Sequence, residues 1–163
     1  MIVRAATAAD AEAIAAVYAP HVRNGTASFE LEPPGAAAML ARIEKVLNAN
    51  APWLVAEDAG RLLGYAYCAE FHHRPAYRHT CESSVYVREG EAGKGVGRAL
   101  MQMLFAEAIA RGFQQMIAVV GDSDNTASIQ LHKVLGFREA GTLTGVGLKF
   151  GRVLDVVYLQ KAL

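Results

Sequence analysis

Apolar positions along the chain recur at two periods: short runs of strand length, and longer stretches in which they return every three or four residues. "IVRAAT" (2–7) reads as a strand, and Thr7-Ala-Ala-Asp10 as a capping arrangement opening the helix "AEAIAAVYAPHV", which Pro20 bends or ends. "RNGTASFELEPPG" (23–35) is polar and punctuated by Gly and Pro, a loop ahead of a second helix over "AAAMLARIEKVLNA". "PWLVAED" and "RLLGYAYCAEF" flank Ala59-Gly60 as the arms of a hairpin. After the irregular "HHRPAYRH" comes the strand "TCESSVYV". The helix "RALMQMLFAEAIARG" sets Leu100, Met103, Leu104, Ala108 and Ile109 near one face and stops at Gly112. "FQQMIAVVG" is a strand, "DNTASIQLHKVLG" a helix closed by Gly136, and "LDVVYLQKAL" a strand.

This order predicts an α/β fold: a mixed central sheet of about six to seven strands, flanked by about four helices, with hairpins at one end and crossover helices at the other. The 163 residues suit one domain. Composition, 53% hydrophobic and 20% charged, belongs to a folded globular chain. Sixteen Lys plus Arg balance 16 Asp plus Glu, so no global field favours nucleic acid or an anionic membrane, and neither is expected as a partner.

Arg4, Asp10 and Glu12 interrupt what a secretory leader would need as an apolar core, and no run approaches a membrane span. A cytoplasmic protein is expected. Its two cysteines, Cys68 and Cys81, offer no disulfide framework, which suits a reducing compartment. His72, His73, His79 and Cys81 match no paired-ligand spacing, so no metal is expected.

"VREGEAGKGVGRAL" (87–100) places Gly90, Gly93, Gly95 and Gly97 at the junction of a strand with a helix. Glycines there are costly unless the turn needs positive dihedrals or a ligand must come close. A strand end, free backbone amides and a helix N-terminus converging on one spot make an anion site. It is not a Walker loop, because Gly95 rather than Ser or Thr follows Lys94. Nor is it a dinucleotide fingerprint, since Arg98 or Leu100 stands where the third glycine belongs.

Two further groups carry chemistry. Glu82 is the only carboxylate in the strand "TCESSVYV", either a general base with its pKa raised by burial or a strand charge with a structural role. Asn125, Ser128 and His132 follow at i, i+3 and i+7 and share one helix face.

"VYVREGEAGKGVGRALM" resembles the acetyl-CoA-binding segment of the GNAT N-acetyltransferases, whose Gln/Arg-x-x-Gly-x-Gly/Ala opens the helix after the fourth strand. Ala92 stands where the family usually has Gln or Arg, which leaves a cradle of backbone. "GDSDNTASIQLHKVLGFREAG" resembles the second signature of the family. "NGTASFELEPP", "RPAY", "TCESSVYV" and "GLKFGRVLDVVYLQ" resemble its phosphinothricin and methionine sulfoximine (methionine sulfone) acetyltransferase branch.

The resemblance implies acetyl-CoA as co-substrate, a small amino acid analogue as acceptor and a homodimer. Val85, Tyr86 and Val87 would align the pantetheine arm, and Gly93, Lys94, Gly95, Val96, Gly97 and Arg98 would take the pyrophosphate. Lys94 and Arg98 either add charge there or are solvated cations. Asn125 and Ser128 would meet the cofactor, and His132 either protonates the leaving thiolate or packs. An anionic tetrahedral group on the acceptor calls for forked donors, with Arg74 and Tyr77 the first candidates, Phe29 shaping the wall and Glu30 meeting the amine. Glu82 would deprotonate the acceptor for direct attack. Two other readings stay open: a GNAT acting on a protein N-terminus or an antibiotic, and a non-catalytic acyl-CoA-binding domain.

Overall fold

In the computed structural model, which describes residues 1–163, thirteen elements follow the expected order. They are β1 (Ile2–Ala5), a 3-10 turn (Ala8–Asp10), α1 (Ala11–Arg23), α2 (Ala36–Asn48), β2 (Trp53–Asp58), β3 (Arg61–Glu70) and a second 3-10 turn (Pro75–Tyr77). β4 (Thr80–Val87), α3 (Val96–Ala110), β5 (Gln115–Gly121), α4 (Thr126–Val134), β6 (Arg138–Lys149) and β7 (Arg152–Ala162) complete the chain. The strands form one sheet in the order β1-β2-β3-β4-β5-β7-β6. Only β4 and β5 run parallel, joined by the crossover helix α3.

Local chemistry explains most boundaries. The Thr7 N–H and hydroxyl both donate to Asp10 Oδ2, at 2.7 and 3.0 Å, and Asp10 in turn takes the Arg4 fork at 2.8 Å on each oxygen. Ala59 and Gly60 both have positive φ, 47° and 78°, the twist that a two-residue hairpin between β2 and β3 requires. Pro20 does not end α1, which continues to Arg23. A proline so near the C-terminus forfeits a single helix bond, and its carbonyl still accepts from Asn24 N–H at 2.9 Å.

The central strands of the sheet are buried on both faces. On one, α3 inserts Leu100, Met101, Leu104 and Ala108 against Cys68, Cys81, Met116 and Leu159. Met103 and Ile109, expected in that stripe, are exposed instead; Ile109 lies nine residues past Leu100, half a turn out of phase, and Met101 takes the inward place. On the other face α1 and α2 cover Trp53, Val55 and Tyr65. Trp53, Tyr65 and Tyr67 stack nearly parallel, and Tyr86 packs beside Tyr65 with centroids 5.4 Å apart. That aromatic floor ends at Glu82, two rungs from Tyr67 on the same face.

Candidate functional site

The parallel ladder between β4 and β5 lasts only from Thr80–Gln115 to Ser83–Ala118. Beyond it each strand keeps its other neighbour, β4 pairing with β3 as far as Val87 and β5 with β7 as far as Gly121. The two strands therefore part in the middle of the sheet and open a cleft of about 470 Å³. The Arg88 N–H donates to Leu63 O, which fixes the phase of the β3–β4 ladder. By antiparallel alternation the peptide groups of Tyr86 are used against β3, while those of Val85 and Val87 face the gap. Of the three residues expected to present backbone to a ligand, Tyr86 thus contributes wall rather than hydrogen bonds. The Val87 carbonyl is shared with His21 Nε2, 2.9 Å away on α1.

At the mouth of the cleft Gly93 and Gly95 have φ of 77° and 84°, and a Cβ added to either would meet no protein atom within 4 Å. Their backbone is bent and uncovered. Gly97 differs, because a Cβ there would lie 3.1 Å from Leu131 and 3.5 Å from Val87, so glycine lets α3 start against β4 and α4. Val96 and Arg98 also line the cleft; Arg98 is exposed and has no ion-pair partner. Lys94 does not line the cleft and is paired with Glu91 at 3.0 Å. Glu91 itself borders the cleft and also pairs with Arg61.

α4 supplies the opposite wall. Asn125 caps it, accepting Ser128 N–H at 3.3 Å, which commits its carbonyl oxygen and leaves its amide N–H groups free. Ser128 and His132 line the cleft as well. His132 Nδ1 lies 2.8 Å from Ser128 O and its ring meets Phe137 edge-on at 5.0 Å. Burial lowers its pKa, so the neutral imidazole donates through Nδ1–H and turns a lone pair at Nε2 outward. Residues of the cleft that patterning did not single out include His21, Ala27, Ser84, Val119, Gly121 and Leu131. Only the strand "FQQMIAVVG" hinted at two of them, through its position after the crossover helix.

Glu82 does not line the cleft; Ser83 and Ser84, the next residues along β4, do. Its carboxyl is half-buried and free of hydrogen bonds or ion pairs. Burial pushes its pKa up, and the nearby His72 partly offsets this. His72 packs on Tyr77 with centroids 5.0 Å apart, which brings the "RPAY" segment to the Glu82 side of the molecule. Arg74, Tyr77, Phe29 and Glu30 likewise stand outside the cleft. Arg74 is exposed.

Phe29 and Glu30 belong to a loop strapped across the sheet. The Phe29 ring lies on the backbone of Gly121 and Gly147, where side chains would collide with it. Thr26 donates to Asp122 at 2.6 Å, and the buried Lys149 to Ser28 O at 2.6 Å. Glu30 takes the Arg42 fork at 2.6 and 3.0 Å and the Tyr18 hydroxyl at 2.9 Å, so Arg42 holds its carboxyl below the usual range.

A sheet split between parallel strands, one lip offering free peptide groups, and a glycine turn at the mouth of an apolar slot define a protein that holds a long ligand ending in phosphate. Residues 19–137 match the Acetyltransferase (GNAT) family. A phosphinothricin N-acetyltransferase of Alcaligenes faecalis is 53% identical over 154 residues, 94% of this chain and 78% of that protein. An L-methionine sulfoximine/L-methionine sulfone acetyltransferase of Pseudomonas aeruginosa is 41% identical over 159 residues, 97% of this chain and 92% of that one. The crystal structure of a GNAT superfamily phosphinothricin acetyltransferase from Sinorhizobium meliloti in complex with acetyl-CoA matches with a TM-score of 0.95 at 40% identity, over 99% of this chain and 88% of that one. The chain belongs to the GNAT acetyltransferase family and is an acetyl-CoA-dependent N-acetyltransferase.

Proposed function

We propose that the 163 residues form one catalytic domain that acetylates the amine of a small amino acid analogue, of the kind represented by phosphinothricin, methionine sulfoximine and methionine sulfone, with Glu82 as base. The observation that carries this reading is an unpaired, half-buried carboxyl with a raised pKa, one residue from the closed end of the cleft, in a chain 53% identical to a phosphinothricin N-acetyltransferase. A carboxyl so placed holds its proton less tightly than an amine does, yet more tightly than a solvated glutamate, which suits proton removal near neutral pH.

The residues present fit acetyl-CoA. Gly93 and Gly95 leave their amides approachable, Arg98 is unpaired beside them, and Val85 and Val87 offer backbone to an amide-bearing arm. Acetyl-CoA supplies the activated acetyl thioester. Asn125 and Ser128 border the same slot from α4 and keep polar groups available to it. His132 accepts a hydrogen bond there rather than giving one, because its single proton is engaged by Ser128 O. The acceptor then lies on the α1/α2 face, between the strapped loop and the "RPAY" segment, with Arg74 and Tyr77 on its anionic side chain and Phe29 behind it.

In this reading the chain works in the cytoplasm as a homodimer. The exposed apolar side chains of β6 and β7 support an association between copies.

The test is CoA-thiol release with phosphinothricin, methionine sulfoximine, methionine sulfone, common amino acids, an aminoglycoside and a short peptide as acceptors. Saturable activity confined to the first three is expected. Activity on the peptide or aminoglycoside instead would overturn the acceptor assignment.

A further inference from the structure

The pair formed by Arg42 and Glu30 is built like a receptor for a second carboxylate. Arg42, on α2, commits one N–H of each terminal nitrogen to Glu30, and a guanidinium has five. Its side chain is 44% exposed, so its remaining donors face solvent rather than packed chain. Glu30 is fixed from three sides: by Arg42, by the Tyr18 hydroxyl, and by its own N–H on Ser28 Oγ at 3.2 Å. Ser28 in turn is held by Tyr18 at 2.6 Å and by Lys149 through its carbonyl. The guanidinium is therefore presented in one orientation by a rigid carboxylate, at little further entropic cost on binding.

Its position is equally specific. α2 covers the aromatic floor that runs from Trp53 through Tyr67, the floor that ends at Glu82. Tyr18, which binds Glu30, packs edge-on against Tyr86 with centroids 4.8 Å apart, and Tyr86 and Glu82 lie on the same face of β4 with Tyr67 opposite Ser84 between them. An α-amino acid whose amine is directed at Glu82 carries its carboxylate only a few ångströms from that amine. Arg42 is a cation held in a fixed orientation by Glu30, with donors still open to solvent.

We propose that Arg42 is the specificity-determining residue that binds the α-carboxylate of the acceptor, and that Glu30 is a positioning residue which holds the guanidinium for it. This rests on the amino acid reading given above. It makes the enzyme selective for amino acids over amines that carry the same side chain without a carboxylate.

The experiment compares methionine sulfone with its decarboxylated amine as acceptors, for the wild type, Arg42→Lys and Arg42→Gln, with KM and kcat separated and the KM for acetyl-CoA as a control. Loss of charge-assisted hydrogen bonds predicts a KM for methionine sulfone raised about tenfold to a hundredfold in Arg42→Gln, at similar kcat. Arg42→Lys, which keeps charge but not the fork, falls between. The decarboxylated amine should react poorly and alike with all three proteins. Equal losses with both acceptors, or a matching rise in the acetyl-CoA KM, would mean that the pair only fastens the loop, and the receptor role would fall. A wild type that prefers the decarboxylated amine would overturn it as well. Wild-type silence towards both, with activity on a peptide, would instead remove the amino acid reading and this inference with it.

Discussion

A glutamate serves as base only if its carboxylate form is reachable at working pH and its proton affinity is not negligible. Burial of Glu82 raises its pKa and no partner stabilises its charge. Activity should therefore climb with pH through that raised value, as the carboxyl loses its proton. Glu82→Gln should lower kcat/KM by about a hundredfold or more and abolish this limb of the profile; unchanged turnover from about pH 6 to 9 would remove Glu82 as the base. His132 leads to the opposite expectation. With Nδ1–H on Ser128 O and a depressed pKa, Nε2 carries no proton to give at neutral pH. His132→Asn should thus leave kcat within about threefold while lowering the melting temperature, since it removes a buried ring packed on Phe137. A kcat reduced a hundredfold at unchanged stability would restore the acid role. Glu82 was legible in the sequence because it is the one carboxylate of an otherwise weakly polar strand. The engagement of Glu30 was not, because its partner lies 12 residues away on a separate helix and only tertiary packing brings them together.

At the scale of elements the turn from β4 into α3 carries the clearest consequence. Gly95 is the left-handed N-cap of α3, with φ of 84° and open space where a side chain would stand. Gly95→Val should cost stability through the strained dihedral and weaken acetyl-CoA binding by filling the approach to the amides. Calorimetry on the folded protein separates the two, and undiminished affinity would remove the cradle assignment. The N-terminal strand depends on a different device, the Arg4 fork between Asp10 and Glu57. Asp10 titrates at about 2, against an ordinary 3.8, mainly through its bond to Arg4. A folded-state pKa below the unfolded one contributes stability that is complete above about pH 4 and lost as pH falls through 2. Denaturant unfolding across that range should show the loss, and Asp10→Asn should flatten it. The strand–helix junction at Val87–Val96 was legible because turn chemistry and apolar runs alternate cleanly there. β6 carries no strand signature in the sequence because it is exposed along Arg138–Val146, so no buried face imposes an alternating pattern on it.

Across the whole molecule the sequence order of elements translates into a sheet whose centre is split and whose ends are unequal. One end closes with the short β1, tied down by Arg4, while the other ends on β6, 12 residues long with an unpaired edge. The cleft was readable only in part: its glycine lip announced itself, but the opening arises because β4 and β5 keep their outer partners while losing each other, a property of pairing rather than of either strand. The same unequal architecture leaves Leu143, Val146, Leu148, Phe150 and Val153 exposed together on the β6–β7 arm. Val153, 70% exposed, is opposite Leu148, 71% exposed, in the register of that arm, so the two form a continuous apolar rung. Long apolar edges of this kind promote pairing between chains unless covered. The homodimer proposed above covers it with a second copy, and Val153→Asp would then bury an unpaired carboxylate at the contact. Sedimentation velocity should show a dimer for the wild type and a monomer for Val153→Asp, with the melting temperature of the folded monomer little changed. A monomeric wild type at micromolar concentration would end the homodimer proposal, and a Val153→Asp variant that stays dimeric would move the contact to a different face.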